Sequence, residues 1–250
     1  MAISETAQKN HDQLFPGHVS TLEVTDPELI EIFGNFTFDQ TLRHTSLGTR
    51  TRLMVQLAAL IGGQALSEYR VMLGAALSNG VTPVEAKEIV YQAIPYAGMG
   101  KVVDFLHATN DVLTERGQAA TTPATRAERG RAVQEQIVGA GRVQRMYASA
   151  AGDELHFQEF LSANCFGDHV ARTGIGVPVR ELLTLAMLVS LGGCDPQVRG
   201  HVAANLNVGN DRQTLIGVIT VLLPFIGYPR TLNALAAINE IAPAPTKETT

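Results

Sequence analysis

The sequence predicts an all-α protein made of two tandem copies of one helical unit. Three observations carry this. Apolar residues recur at helical spacing almost throughout, with no convincing alternating strand pattern. Helix-start and helix-stop signals fall between the apolar runs. The residues of the first half also return in the second half at a nearly constant offset.

Taken in order, Asp26-Pro27 reads as an N-cap and first-turn proline opening a helix through Leu29, Ile30 and Phe33. Leu53 to Ile61 is strongly apolar and ends at Gly62-Gly63. The next helix carries Tyr69, Val71, Met72 and Leu77 and stops at Gly80. Thr82-Pro83-Val84-Glu85 is a capping box whose helix runs to about Ile94, before Pro95, and another helix covers Met99 to Glu115. Residues 116–127 are small and polar and read as a linker. The following helix is rich in arginine (Arg126, Arg129, Arg131, Arg142, Arg145), which reads as a solvated face.

The repeat fixes the organisation. Asp39 and Arg43 return as Asp168 and Arg172, an offset of 129. Arg50 and Gly62-Gly63 return as Arg180 and Gly192-Gly193, an offset of 130. The offset is again 129 where Arg70, Ala75, Leu77 and Gly80 match Arg199, Ala204, Leu206 and Gly209, and where Pro95 and Gly98 match Pro224 and Gly227. We therefore read a first copy over 1–115, a linker over 116–127 and a second copy over 128–250.

Composition narrows the function classes. The formal charge of −5 without basic runs lacks the footprint of a nucleic-acid binder. No apolar stretch reaches ~18 residues, so no membrane span is expected, and the N-terminus lacks the basic start and apolar segment of a secretory signal. Two cysteines, Cys165 and Cys194, exclude a disulfide framework and point to reduced thiols in a cytoplasm. Charged residues make up only 17%, against roughly 25% in an average soluble domain. That shortfall suggests surface covered by other subunits.

The second copy carries the segment RELLTLAMLVSLGGCDPQVRGHVAANLNVG, followed by LLPFIGYPRTLNAL. It resembles the carboxymuconolactone decarboxylase family, whose helical fold is shared with alkylhydroperoxidase D. The residues carrying the resemblance are Arg180-Glu181, His201 with Ala204 and Gly209, and Phe225-Ile226-Gly227-Tyr228-Pro229. FQEFLSANCFGDHVARTG, upstream, resembles the family's preceding helix, with Phe166 where tryptophan is common. The first copy departs from the pattern. Thr51 stands at the Glu181 position, Met72 at the His201 position, and no cysteine lies near Gly63. One working site per chain, in the second copy, is the expectation.

Read as residues, Cys194 sits just outside a helix opened by Asp195-Pro196, where unpaired amides and the macrodipole would lower a thiol pKa. His201 follows two turns on. If the two helices are antiparallel, Glu181 comes close to His201, giving a carboxylate, a thiol and an imidazole for proton relay. Glu181, Cys194 and His201 are thus the candidate catalytic residues. His201 could equally be a satisfied core histidine, Cys194 an inert small hydrophobe and Glu181 a charge on the helix dipole. The resemblance favours the catalytic reading for Glu181 and His201 and leaves Cys194 open between the two.

The candidate substrate-binding residues are Arg199, Arg180, His169, Phe166 and Tyr228, with Phe157, Phe160 and Phe225 as further pocket lining. Arg199 and Arg70 occupy the same position in both copies, including the copy without the other groups. This favours a structural ion pair, with Glu68, Asp39 or Asp168 as partners, over a clamp on a substrate carboxylate. Arg180 and Arg50 share the ambiguity. No histidine spacing suggests a metal site, and the paired glycines lack the strand-to-helix setting of a dinucleotide loop. No cofactor is expected.

Two enzyme readings and one without chemistry follow. The resemblance implies a decarboxylase or lactone-processing enzyme for a small carboxylated lactone or organic acid. A thiol peroxidase of the alkylhydroperoxidase D type would need a Cys-x-x-Cys pair, but Gln197 stands at the second position and Cys165 belongs to another helix. A non-catalytic assembly protein is the third. The resemblance also implies a ring: a homotrimer of two-unit chains, pseudo-hexameric, with no nucleic-acid or membrane partner.

Overall fold

The computed structural model describes residues 2–18, 20–118 and 128–244, which are helical with no strand among them. The order is α1 (Glu5–Leu14), α2 (Leu22–Thr25) and α3 (Pro27–Asn35), then a π-helical turn (Phe36–Gln40) and a 3-10 turn (Thr41–His44). The first copy continues with α4 (Thr49–Gly62), α5 (Leu66–Ser78), α6 (Pro83–Ala97) and α7 (Met99–Glu115). Then come α8 (Glu128–Val138), α9 (Ala140–Ser149), α10 (Leu155–Phe160) and a π-helical segment (Leu161–Val170). α11 (Val177–Leu191), α12 (Asp195–Asn207) and α13 (Arg212–Ile241) complete the second copy. Most of the linker, 119–127, lies outside the described residues, as do Arg126 and the Arg129 side chain. Arg131, Arg142 and Arg145 are exposed, as expected of a solvated face.

The correspondence between copies is carried into the helices. α4 pairs with α11, α5 with α12, and α6 plus α7 with α13. The two parts of α13 meet at Gly227, whose φ of 77° breaks the helix where Gly98, at φ 84°, separates α6 from α7. A side chain at that φ would be strained, so glycine marks the same corner twice. By length and mean hydropathy (1.6) α13 is the one described helix that could cross a membrane. The corner divides it into halves of ~22 Å, each short of a ~30 Å hydrocarbon core.

α4 and α11 form the centre. Every residue from Leu53 to Gly62 and from Arg180 to Ser190 is buried, so both helices are enclosed on all sides. One continuous apolar core runs through both copies, from Leu53 and Leu57 to Leu183, Leu185 and Leu222. Each such side chain contributes about 1.5–3 kcal/mol of transfer free energy, so the copies cannot separate without exposing the centre.

The packing is also exchanged between copies. α6 of the first copy lies on α11 and on the π-helical segment of the second, while α13 of the second lies on α4 and on the π and 3-10 turns of the first. Gln92 on α6 shows the exchange at atomic level, donating to the Arg180 carbonyl (2.7 Å) and to the Thr184 hydroxyl (2.9 Å).

One local detail differs from the sequence expectation. The capping box at Thr82 and Glu85 is formed as expected. Its helix, however, passes Pro95 and ends at Ala97. Proline has no N–H, so the Tyr91 carbonyl four residues back loses its helical donor. The His169 ring lies against that carbonyl instead.

Candidate active site

Glu181 lies in the second turn of α11 and His201 in the middle of α12. The antiparallel helices bring His201 Nδ1 to 2.8 Å from Glu181 Oε2. The carboxylate side chain is fully buried, whereas the imidazole retains 17% exposure. An Nδ1–H donated to the carboxylate leaves Nε2 free to exchange a proton with whatever occupies the opening. Asn205, one turn after His201, donates to the Glu181 carbonyl (3.1 Å) and the His201 carbonyl (2.7 Å) and fixes the register of the helices. Its own Oδ1 accepts from Asn210. Glu181 Oε1 is buried with no partner among the described residues. A buried carboxylate oxygen without a donor is costly.

The wall beside the pair comes from the other copy. Tyr96, at the end of α6, sets its ring edge-on to His201 with centroids 5.8 Å apart. Its hydroxyl is enclosed beside the Thr184 hydroxyl and the Cys165 thiol without completing a hydrogen bond of good geometry. Burial, then the nearby Cys165 and Glu181, hold the phenol well above its usual range, so it stays a neutral donor. Cys165 and Phe166 come from the π-helical segment and form a small apolar cluster with Ile137, Val170 and Ala204. That segment is drawn in because α8 crosses it at Gly130, where a Cβ would meet Ser162 O at 2.3 Å and Gly167 at 2.5 Å. Burial pushes the Cys165 thiol up to about 12.

Tyr96 was missed in the sequence because it belongs to the copy lacking the acid and the imidazole. A signal was present: Pro95-Tyr96 matches Pro224-Phe225 at the 129 offset. Tyrosine thus faces the copy with His201, and phenylalanine the copy with Met72.

The remaining predicted residues do not gather here. Arg180 is fully buried and committed: Nη2 to Glu88 (2.8 Å), Nη1 to Gln92 (3.0 Å), Nε to the Ile175 carbonyl. Glu88 also accepts from Arg172 Nε at 3.0 Å. This is an ion-pair triad joining the copies, and the expectation that Arg180 holds substrate is corrected. Arg199 pairs on the surface with Glu240 at 2.7 Å, and Arg70 with Asp111 at 2.8 Å. Glu240 and Asp111 are themselves related by 129. The ion pair is therefore duplicated as a unit, although neither arginine uses the expected partners Glu68, Asp39 or Asp168.

Cys194 is the N-cap of α12 but makes no capping bond, and its thiol donates to the Leu188 carbonyl at 3.2 Å. It lies in a separate shallow cleft with Val198, Arg230 and Asn233, which includes neither Glu181 nor His201. Burial, then Asp195, raises its pKa, contrary to the lowering expected at a helix N-terminus. The cysteine beside the carboxylate is Cys165 instead.

His169 stands by Tyr91, Glu88 and Arg172, and burial lowers its pKa. Tyr228, Phe157 and Phe160 are each more than 60% exposed, and Phe225 packs on Phe33. Of the expected aromatic lining only Phe166 is at the site. Among the described residues no three His, Cys, Asp or Glu side chains are grouped to hold a metal.

The sequence pattern of the carboxymuconolactone decarboxylase family matches residues 27–111 and again 156–240, more than half of the chain. The chain belongs to the carboxymuconolactone decarboxylase family. A 4-carboxymuconolactone decarboxylase of Acinetobacter baylyi is 28% identical over 116 residues, 46% of this chain and 86% of the relative. A crystal structure from Burkholderia xenovorans, described as a candidate gamma-carboxymuconolactone decarboxylase subunit, covers 92% of this chain and 94% of its own, with a TM-score of 0.54 and 18% identity. It shares the fold. The second match contains Glu181, Cys194 and His201, and the internal repeat sets Thr51 and Met72 of the first match against Glu181 and His201.

Proposed function

We propose that this protein is a carboxy-lyase of the carboxymuconolactone decarboxylase type, acting on a small carboxylated lactone or organic acid at Glu181 and His201. The observation that carries the reading is the 2.8 Å imidazole–carboxylate contact whose second carboxylate oxygen is buried and unpartnered.

In the reaction, the bond between the ring carbon and the carboxylate breaks and carbon dioxide leaves. The electron pair spreads toward the conjugated lactone carbonyl. His201, protonated beside Glu181, gives its Nε2 proton to carbon and is recharged from solvent. Glu181 orients the ring and stabilises the imidazolium, and the neutral Tyr96 hydroxyl can donate to the developing oxyanion. With Arg180 and Arg199 committed elsewhere, the substrate carboxylate lies against the apolar side of Phe166, Cys165 and Ala204. Desolvation raises the energy of that charge, and the cost disappears as neutral carbon dioxide departs.

The assembly we propose is a homotrimer forming a pseudo-hexameric ring in a reducing cytoplasm. Exposed Leu29, Ile32, Phe157, Phe160, Leu206 and Leu232 on a chain low in charge support it. Incubating the purified chain with 4-carboxymuconolactone and related lactone acids, with carbon dioxide release as readout, tests the reading. Release with at least one of them is expected. Release with none, in a folded protein, overturns it.

A further inference from the structure

The position in the first copy that corresponds to the Glu181–His201 site is a shallow cleft, most of it open to solvent, whose enclosed part has room for about one water. Its lining includes Arg52, Thr37, Gln56, Met72, Phe38 and, from the second copy, Phe225. Met72 stands for His201 and Phe225 for Tyr96 at the 129 offset, while Arg52 follows Thr51, the counterpart of Glu181. Where the second copy has a carboxylate, the first thus has a cation one residue on. The counterpart of Arg52 itself is buried Leu182.

Arg52 is half-buried, with no hydrogen bond, ion pair or facing carboxylate among the described residues. Burial alone lowers its pKa. This contrasts with Arg43, Arg50, Arg70, Arg172, Arg180 and Arg199, each of which has an acidic partner. The second unmet group is the Thr37 hydroxyl, 4% exposed as a residue, lining the same pocket with no partner. A desolvated guanidinium and an unused hydroxyl converging on an apolar pocket form a complementary surface for a carboxylate attached to an apolar body.

We propose that the first copy binds a small organic carboxylate, held by the Arg52 guanidinium and the Thr37 hydroxyl, with Met72, Phe38 and Phe225 against its body. With Thr51 and Met72 in place of an acid and a base, the ligand is bound and not turned over. The copy without proton-transfer groups is a binding site, separate from the one in the second copy.

The test uses the whole chain labelled with 13C-methyl methionine and titrated with sodium benzoate, the Met72 signal being assigned by Met72→Leu. A saturable shift of the Met72 methyl is expected in the wild type and, undiminished, in His201→Gln. Arg52→Gln should weaken it about tenfold or more, as loss of a charged hydrogen bond does. Arg52→Lys, which keeps the charge and loses the fork, should lie between. Benzamide, neutral and of the same shape, should shift it far less. Arg52→Gln removes an unpaired half-buried cation, so its Tm should be equal to or above that of the wild type, and benzoate should raise the wild-type Tm more than that of Arg52→Gln. A Met72 methyl unmoved by benzoate, an unchanged affinity in Arg52→Gln or an equal response to benzamide overturns the proposal. The His201→Gln arm separates its failure from failure of the second-copy reading.

Discussion

His201 Nδ1 lies 2.8 Å from Glu181 Oε2, on two antiparallel helices whose counterparts in the first copy carry Met72 and Thr51. The duplicated fold thus keeps one backbone arrangement twice and gives it proton-transfer groups once. Asymmetry between equivalent positions is the basis of the functional reading, and it makes each copy a control for the other.

Loss of the imidazole and loss of the carboxylate should act as one lesion. His201→Gln and Glu181→Gln are each expected to lower the rate of carbon dioxide release by about 10²-fold or more, the range for a positioned acid–base group. The double variant should be little worse than either single one, because the residues work as a unit. Multiplying effects in the double variant would show that they act separately.

Tyr96→Phe tests whether the first copy contributes to the site. The hydroxyl completes no hydrogen bond in the fold, so stability should hold or rise slightly. Turnover should fall about tenfold or more if the hydroxyl donates to the developing oxyanion, with a smaller effect on KM. An unchanged kcat would make Tyr96 only a packing residue.

Arg180→Met should act on stability. The guanidinium is fully buried against Glu88 and Gln92, and removing one member of a buried ion pair typically costs about 3 kcal/mol or more. Denaturant unfolding of Arg180→Met against Arg180→Met/Glu88→Gln checks this. The double variant should be no more stable than Arg180→Met, because Arg172 still pairs with Glu88 in the single variant and Glu88→Gln leaves the Arg172 guanidinium without its partner. An unfolding midpoint unchanged in Arg180→Met would contradict the structural role.

The cysteines should be slow to react with thiol reagents at neutral pH, because burial holds Cys165 at about 12 and raises Cys194. Cys194→Ser is expected to retain turnover within about twofold, its pocket being separate from His201. Loss of activity in that variant would restore the thiol reading.

Stability should also fall on acidification through His169. Burial lowers its folded pKa, so below ~6.5 the unfolded chain binds the extra proton and is favoured. Above that range the residue is neutral in both states and contributes no pH dependence. Unfolding midpoints of the wild type and His169→Gln across mildly acidic pH should diverge, with the variant less sensitive.

Much of the fold could be read from the sequence because caps, glycine stops and the 129-residue offset are local signals. The helix starts at Pro27 and Pro83, the capping box at Thr82 and the approach of Glu181 to His201 all follow from them. The misreadings share a cause: burial and partner choice are tertiary. Nothing local to Arg180 shows that Glu88, 92 positions earlier, is its partner. Nor does the local sequence around Cys194 reveal the burial that, with Asp195, raises its thiol pKa. Tyr96 was hidden by the exchange of α6 and α13 between copies, which assigns each site a wall from the other half of the chain.

The most direct measurement is the rate of carbon dioxide release from 4-carboxymuconolactone by the wild type, His201→Gln and Met72→Leu, each first shown to be folded. Release by the wild type, a fall of about 10²-fold in His201→Gln and a rate within about twofold of wild type in Met72→Leu are expected if chemistry is confined to the second copy. Equal rates in wild type and His201→Gln, or an equal fall in both variants, would contradict it.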